Sequence, residues 1–161
     1  MSFEQRIEQV LGIYPNAPGP ALRASRLLFR VGHLLEARIN AALVPHGLDM
    51  RGYLALVVLD TEGPSLNPSE LGVTLDASRV QVTRLLDRLE NAGLLQRQHS
   101  SRDRRSLDLE LTDTGRARYR HAMADVHAAY AACWSALQPE RIDALVTDLA
   151  AMNDALEPQQ P

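Results

Sequence analysis

Lysine is absent from this chain, so all 17 basic residues are arginine. The bias extends through the terminal segments as well as the middle, and it reads as genomic rather than as the mark of one surface. Cysteine is nearly absent: Cys133 stands alone, which excludes an internal disulfide and fits a cytoplasmic protein. No run approaches the ~18 apolar residues that a membrane-spanning helix needs. Glu4, Arg6 and Glu8 charge the first residues, where a secretory signal would be apolar. The histidines His33, His46, His99, His121 and His127 form no ligand pair with the cysteine. His121 and His127 lie six apart on one helix and face apart, so a zinc pair is not expected. There is no glycine-rich phosphate loop, nor a nucleophile with a base and an orienting group. These absences argue against an enzyme and against any cofactor or metal.

The 161 residues suffice for one compact domain with a core. The formal net charge of −3 speaks against a nucleic-acid partner as a sum, but its distribution speaks the other way. Between residues 77 and 106, Arg79, Arg84, Arg88, Arg97, Arg102, Arg104 and Arg105 face only Asp87, Glu90 and Asp103. From residue 112 onward acids outnumber arginines.

The order of elements follows from periodicity. Phe3, Ile7, Val10 and Leu11 share one side of a short helix predicted over 2–11. Three prolines and a glycine over 14–20 make a linker. Leu27, Leu28, Val31, Leu34, Leu35 and Ile39 define a long helix over 21–44, ended by Pro45 and Gly47. Asp49 caps a largely buried helix carrying Tyr53, Leu54, Leu56, Val57, Val58 and Leu59, which Gly63 and Pro64 stop near Thr61. Asn67 caps a short helix with Pro68 at its first position, ending near Thr74. The next helix opens at Asp76-Ala77-Ser78, runs to Asn91 and closes at Gly93. The period then changes to two over 94–99 and again at Leu107, Leu109 and Leu111, with a polar turn from Ser100 to Arg105 between them. Thr112-Asp113 caps a long helix to about Ala136, and Pro139 precedes a last helix over about 140–156. The predicted fold is mainly α with a small β-hairpin wing.

On the helix over 77–91, Val82, Leu85, Leu86 and Leu89 make a core face. The other side carries Ala77, Val80, Gln81, Arg84, Asp87, Arg88 and Asn91. A short helix, a turn, this helix and a basic hairpin together make a winged helix-turn-helix. The major groove admits one helix and exposes distinguishable base edges. Arg84 has the fork to bridge guanine O6 and N7, Gln81 can pair with adenine, and Val80 suits a thymine methyl. Ser78, with Arg79 beside it at the positive helix end, suits a phosphate. The wing tip would reach the minor groove. Any one of these side chains, taken alone, could equally be a solvated surface group.

Pro68-Ser69-Glu70-Leu71, Ser78-Arg79, Thr83-Arg84 with Asp87 and Leu89-Glu90, and Gly93-Leu94 form a pattern with Asp103-Arg104-Arg105, Leu109, Leu111-Thr112 and Gly115. It resembles the MarR family of bacterial regulators over about residues 20–157. Within that family, Trp134-Ser135-Ala136-Leu137 and Ile7-Glu8-Gln9 are similar to repressors of multidrug-efflux operons. The resemblance implies an obligate homodimer on a pseudo-palindromic double-stranded DNA operator. It implies recognition through Arg84 and the wing arginines, with release by a small aromatic carboxylate or phenolic effector. In the wing it implies that Asp103 braces Arg105, which favours Arg104 or Arg102 for the minor groove and leaves the choice among the three arginines open.

The organisation expected is one domain over 1–161. Its winged helix-turn-helix lobe over 49–112 is flanked by dimerisation helices over 1–45 and 113–157. Ile142, Leu145, Leu149, Met152 and Leu156 follow a 3, 4, 3, 4 spacing, a heptad seam that with Leu11 and Leu22 is the expected dimer interface. Packing of that seam within one monomer is the alternative. An effector pocket is expected between the dimer helices and the lobe, near Arg30, His33 and Tyr53, where arginine would pair a carboxylate. Each of the three could instead be a surface arginine, a core histidine and a packed tyrosine. Cys133, in an apolar helical setting, is expected to be buried and inert, with redox sensing as the alternative. A winged helix that binds protein and never DNA is the other class, but it would dispense with these arginines.

Overall fold

The computed structural model describes residues 1–14, 16–63, 66–99 and 107–157. The chain divides into two compact units, residues 1–38 and 39–161.

The first unit holds α1 (Phe3–Ile13) and most of α2 (Gly19–Leu43). Ser2 opens α1 with a capping box: its hydroxyl accepts from the Gln5 N–H, and the Gln5 side chain accepts from the Ser2 N–H at 2.6 Å. α2 begins at Gly19, two residues earlier than the linker reading placed it. Pro20 falls in the first turn, where a missing N–H costs nothing, and the Pro18 carbonyl already accepts from Leu22 N–H at 2.9 Å. An ion pair between Glu8 and Arg23 ties α1 to α2. The Arg30 guanidinium lies 5.0 Å from the centroid of the Phe3 ring.

The second unit starts at the end of α2. A single 3₁₀ turn, Val44–His46, leads into Gly47, whose φ of 66° suits glycine. Then follow α3 (Met50–Glu62), α4 (Pro68–Thr74), α5 (Arg79–Asn91), β1 (Leu95–His99), β2 (Leu107–Leu111), α6 (Asp113–Trp134) and α7 (Pro139–Leu156). Leu56, Leu71, Leu86, Leu94, Leu95, Leu109 and Val126 are its fully buried centre. On α3, Tyr53, Leu56 and Leu59 are buried as expected, whereas Leu54, Val57 and Val58 are half-buried. Among the described residues no single helix is long and apolar enough to cross a membrane.

Two polar networks bind α6 to the elements before it. Asp60 on α3 accepts from the Tyr119 hydroxyl and pairs with Arg116 and, at 3.1 Å, with Arg120. Nearer the end of α2, His46 Nε2 meets Asp125 Oδ2 at 2.7 Å, and Arg118 donates to the His46 carbonyl at 3.1 Å.

The strands pair antiparallel, with Leu95 opposite Leu111 and Arg97 opposite Leu109. The Leu109 N–H donates outward to the Leu66 carbonyl at 3.0 Å, which ties the residue before the Asn67 cap to the hairpin. At the base of the hairpin the Thr112 hydroxyl donates to the Gly93 carbonyl at 2.8 Å and accepts from the Gly115 N–H at 3.0 Å. One side chain thus caps α6 and closes the turn after α5. Thr112→Ala is expected to lower stability by about 1–2 kcal/mol in urea unfolding. A loss below a few tenths would show that water replaces both bonds.

Past Val126 the residues of α6 lie outside the core: the rest of the helix is exposed or half-buried, and Cys133 is exposed. This corrects the expectation of a buried thiol. An apolar local sequence buries a residue only where another element covers that turn. Likewise no residue of α7 is buried: Ile142, Leu145 and Leu149 are half-covered, while Met152 and Leu156 are exposed.

Candidate nucleic-acid interface

α4 and α5 are each started by a reciprocal cap. The Asn67 side chain accepts from the Ser69 and Glu70 N–H groups at 2.9 and 3.0 Å, and Glu70 accepts from the Asn67 N–H at 2.9 Å. Between the helices the chain turns through Asp76, in the left-handed region at φ 46°, which aspartate tolerates better than most residues. The turn is tight because Gly72 packs beneath it. A Cβ there would stand 3.2 Å from both the Ala77 carbonyl and a Val82 methyl.

α5 begins at Arg79, with Ser78 as its cap and Ala77 still in the turn. The Gln81 N–H reaches the Ser78 hydroxyl at 3.4 Å, and the Gln81 side-chain oxygen accepts from the Ser78 N–H at 2.8 Å. Both side chains expected at DNA are therefore engaged in the cap. Gln81 could pair with adenine bidentately only by leaving it.

Val82, Leu85, Leu86 and Leu89 are buried, so the opposite face turns outward with Arg79, Val80, Gln81, Arg84, Asp87, Arg88 and Asn91 exposed. Val80 is 60% exposed, an apolar side chain on this outward face. Among the described residues neither Arg79 nor Arg84 has a carboxylate partner. Arg88 is different. Its fork grips Asp49, the cap of α3, at 2.6 and 2.8 Å. That pairing revises its expected place among the DNA contacts and makes it a brace between α3 and α5. The wing residues Arg102, Asp103, Arg104 and Arg105 lie outside the described residues.

Burial pushes the Asp49 carboxyl up, but hydrogen bonds from Arg88 and the Gly52 N–H, with the Arg88 charge, outweigh it and hold the group below its ordinary value. A depressed folded-state pKa adds stability above the unfolded value of about 3.9, lost as pH falls through the folded one. Both side chains are about half exposed, so the brace contributes no more than about 1 kcal/mol. Asp49→Asn, which keeps the cap, is expected to be less stable than the parent at pH 7. Denaturant curves should converge below about pH 4; an undiminished gap there would mean that charge is not the cause.

Two acids of α5 are held by an arginine that the sequence pattern left without a role. Arg97 on β1 reaches Asp87 at 2.7 Å and Glu90 at 3.1 Å. A signal was present: strand alternation puts Arg97 on the side of buried Leu95, and Asp87 and Glu90 are three apart on one helical face. A groove of about 1200 Å³ opens between α4, α5 and the hairpin, lined by Pro68, Gly72, Ser78, Thr83, Arg97 and Leu107 among others.

The residues expected around an effector are distributed over both units. Arg30 and His33, both exposed, belong to the first, and Tyr53 to the second. Tyr53 is buried, edge-on to Tyr119 with 6.4 Å between ring centroids. Burial, with the neighbouring Tyr130 and Tyr119 phenols, raises its pKa, so it stays a protonated donor at neutral pH.

A capped helix-turn-helix with exposed arginines on its second helix, followed by a hairpin, defines a winged-helix DNA-binding protein. Residues 46–106 match the family model described as MarR family. The transcriptional repressor MprA of Escherichia coli (strain K12) is 30% identical over 159 residues, spanning 96% of this chain and 90% of that one. Among solved structures, the transcriptional repressor CouR bound to a 23-mer DNA duplex is 30% identical, with a TM-score of 0.72 over 89% of this chain and 96% of that one. CouR from Rhodococcus jostii RHA1 has also been solved with p-coumaroyl-CoA, at a TM-score of 0.73 and 28% identity over 86% and 95% of the two chains. The Mycobacterium tuberculosis MarR family protein Rv2887, in complex with p-aminosalicylic acid, is 31% identical, with a TM-score of 0.63 over 80% and 97%. The chain belongs to the MarR family of transcriptional regulators.

Proposed function

We propose that this regulator is a homodimeric repressor of a pseudo-palindromic operator, released by a small aromatic carboxylate or phenol. The observation that carries the DNA half is the outward face of α5, where Arg79 and Arg84 stand exposed just after a structured cap. Ser78, Val80 and Gln81 border the same face of α5, and Arg102, Asp103, Arg104 and Arg105 are the further DNA contacts proposed. Operator affinity should fall linearly in logarithm with the logarithm of salt concentration, because displaced counterions drive binding. An affinity indifferent to salt would remove this reading.

Apolar exposure supports the dimer. In the first unit Phe29 is 71% exposed, and Val31 and Leu34 are exposed on another side of α2. In the second, Val146, Met152 and Leu156 are exposed on α7. Ile142, Leu145 and Leu149 continue the α7 seam, and Leu11 and Leu22 are half-buried in the first unit. Monomers rarely leave such surface to water without a partner. Phe29→Asp is expected to convert the dimer to monomer in sedimentation equilibrium and to abolish operator binding; a variant that stays dimeric moves the interface away from α2.

The p-aminosalicylic acid of the Rv2887 structure, a small aromatic carboxylate, supports the effector class, and Arg30, His33 and Tyr53 are the residues proposed to meet it. Titration of the operator complex with p-aminosalicylate, salicylate and simple phenols should release the duplex. No release by any of them would count against this class. The exposure of Cys133 favours a second reading, release by thiol oxidation. Peroxide should then free the parent but not Cys133→Ser.

A further inference from the structure

We propose that Arg97 is a positioning residue for DNA recognition: it fastens β1 to α5 and masks the two carboxylates that would otherwise repel the phosphate backbone. The inference rests on the reading that α5 faces the duplex. Four interactions converge on this one residue. Its guanidinium meets Asp87 at 2.7 Å, Glu90 at 3.1 Å and the Thr83 carbonyl at 3.5 Å, and its backbone N–H donates to Glu90 at 3.0 Å. The Arg97 side chain is only 22% exposed, whereas that of Asp87 is 52% exposed.

Asp87 lies three residues beyond Arg84 and, like it, is exposed on α5. Left alone, the two acids would cancel the charge of Arg79 and Arg84, since Arg88 is already taken by Asp49. With Arg97 bound, the cluster carries one negative charge instead of two, and that charge is drawn back toward the strand. Coulomb repulsion between a carboxylate and phosphates acts over about a Debye length, roughly 10 Å at 0.1 M salt, so masking matters across the whole interface. The same bonds fix the angle between the recognition helix and the wing strand. Arg97 therefore acts twice, through geometry and through charge, without touching a base.

The two roles separate in one set of measurements on full-length protein and a duplex from the promoter of its own gene. Affinity is followed against salt for the parent and for Arg97→Gln. It is followed also for Asp87→Asn with Glu90→Gln, for all three substitutions together, and for Arg84→Ala. Arg97→Gln should bind about tenfold more weakly at 0.1 M salt, with the deficit narrowing as salt rises. Adding the two neutralised acids should restore affinity to within about threefold of the parent. Neutralising the acids with Arg97 intact should tighten binding by about threefold or more. A triple variant as weak as Arg97→Gln, or neutralised acids that tighten nothing, would overturn the masking. Arg84→Ala reports separately: if it binds as the parent does, the reading of α5 fails and not merely the role of Arg97.

Discussion

Gly115→Ala is expected to cost more than about 3 kcal/mol of folding stability, the largest effect of any single methyl group in the second unit. A Cβ at position 115 would stand 2.0 Å from the Leu94 carbonyl oxygen and 2.8 Å from a Leu111 methyl. The first obstacle is backbone and cannot swing aside. Relief requires α6 to move off the base of the hairpin, which stretches the Thr112 N–H to Leu94 bond of 3.2 Å and the Gly115 N–H to Thr112 bond of 3.0 Å. Gly93 is the control. Its φ of 68° disfavours a side chain, but no atom lies within 4 Å of the added methyl, so Gly93→Ala should cost only about 1–2 kcal/mol. Urea midpoints measure both. If Gly115→Ala falls within about 1 kcal/mol of the parent, the close approach of α6 to Leu94 is wrong.

Arg84→Ala should weaken operator binding by about 1–3 kcal/mol, or roughly 5- to 150-fold, and relax preference at one base pair. The expectation follows from what the neighbours do. Arg88 is bound to Asp49 and Arg97 to Asp87 and Glu90, so of the arginines on this helix only Arg79 and Arg84 remain available among the described residues. Arg79 is the first residue of α5, beside the cap, and suits a phosphate; Arg84 lies farther along the helix and is the arginine proposed for a base edge. Binding to duplexes with single-base substitutions separates the two roles. Arg79→Ala, which removes a phosphate partner, should weaken all sequences alike, while Arg84→Ala flattens one position. Uniform weakening by Arg84→Ala would assign it to the backbone instead.

Element order, caps and the core face of α5 could be read from the sequence because each is a local pattern. Asn67-Pro68, Ser78 and Thr112-Asp113 are chemical signals for helix starts, and Val82, Leu85, Leu86 and Leu89 declare a buried face by spacing alone. What could not be read was pairing across distance. Arg88 looks like a DNA-facing residue until α3 brings Asp49 within 2.6 Å. Gln81 looks like a base reader until its side chain is found in a cap bond with Ser78. The misjudged burial of Cys133 has the same origin. Ala131-Ala132-Cys133-Trp134 has the composition of a core segment, yet the turns of α6 beyond Val126 lie outside the core. Composition reports what a segment could bury, and only the tertiary arrangement says whether something is there to bury it.

The hydrogen bond from Leu109 to the carbonyl of Leu66 makes the hairpin mechanically continuous with the residue preceding the Asn67 cap. A tug on β2 is passed through one amide to the start of α4, and α4 packs against α5, so strand and both helices are expected to open together, as one cooperative block, rather than move independently. Deuterium should accordingly reach the Leu109 amide at a rate close to that of the buried turns of α5. Bound duplex should slow both in the same proportion.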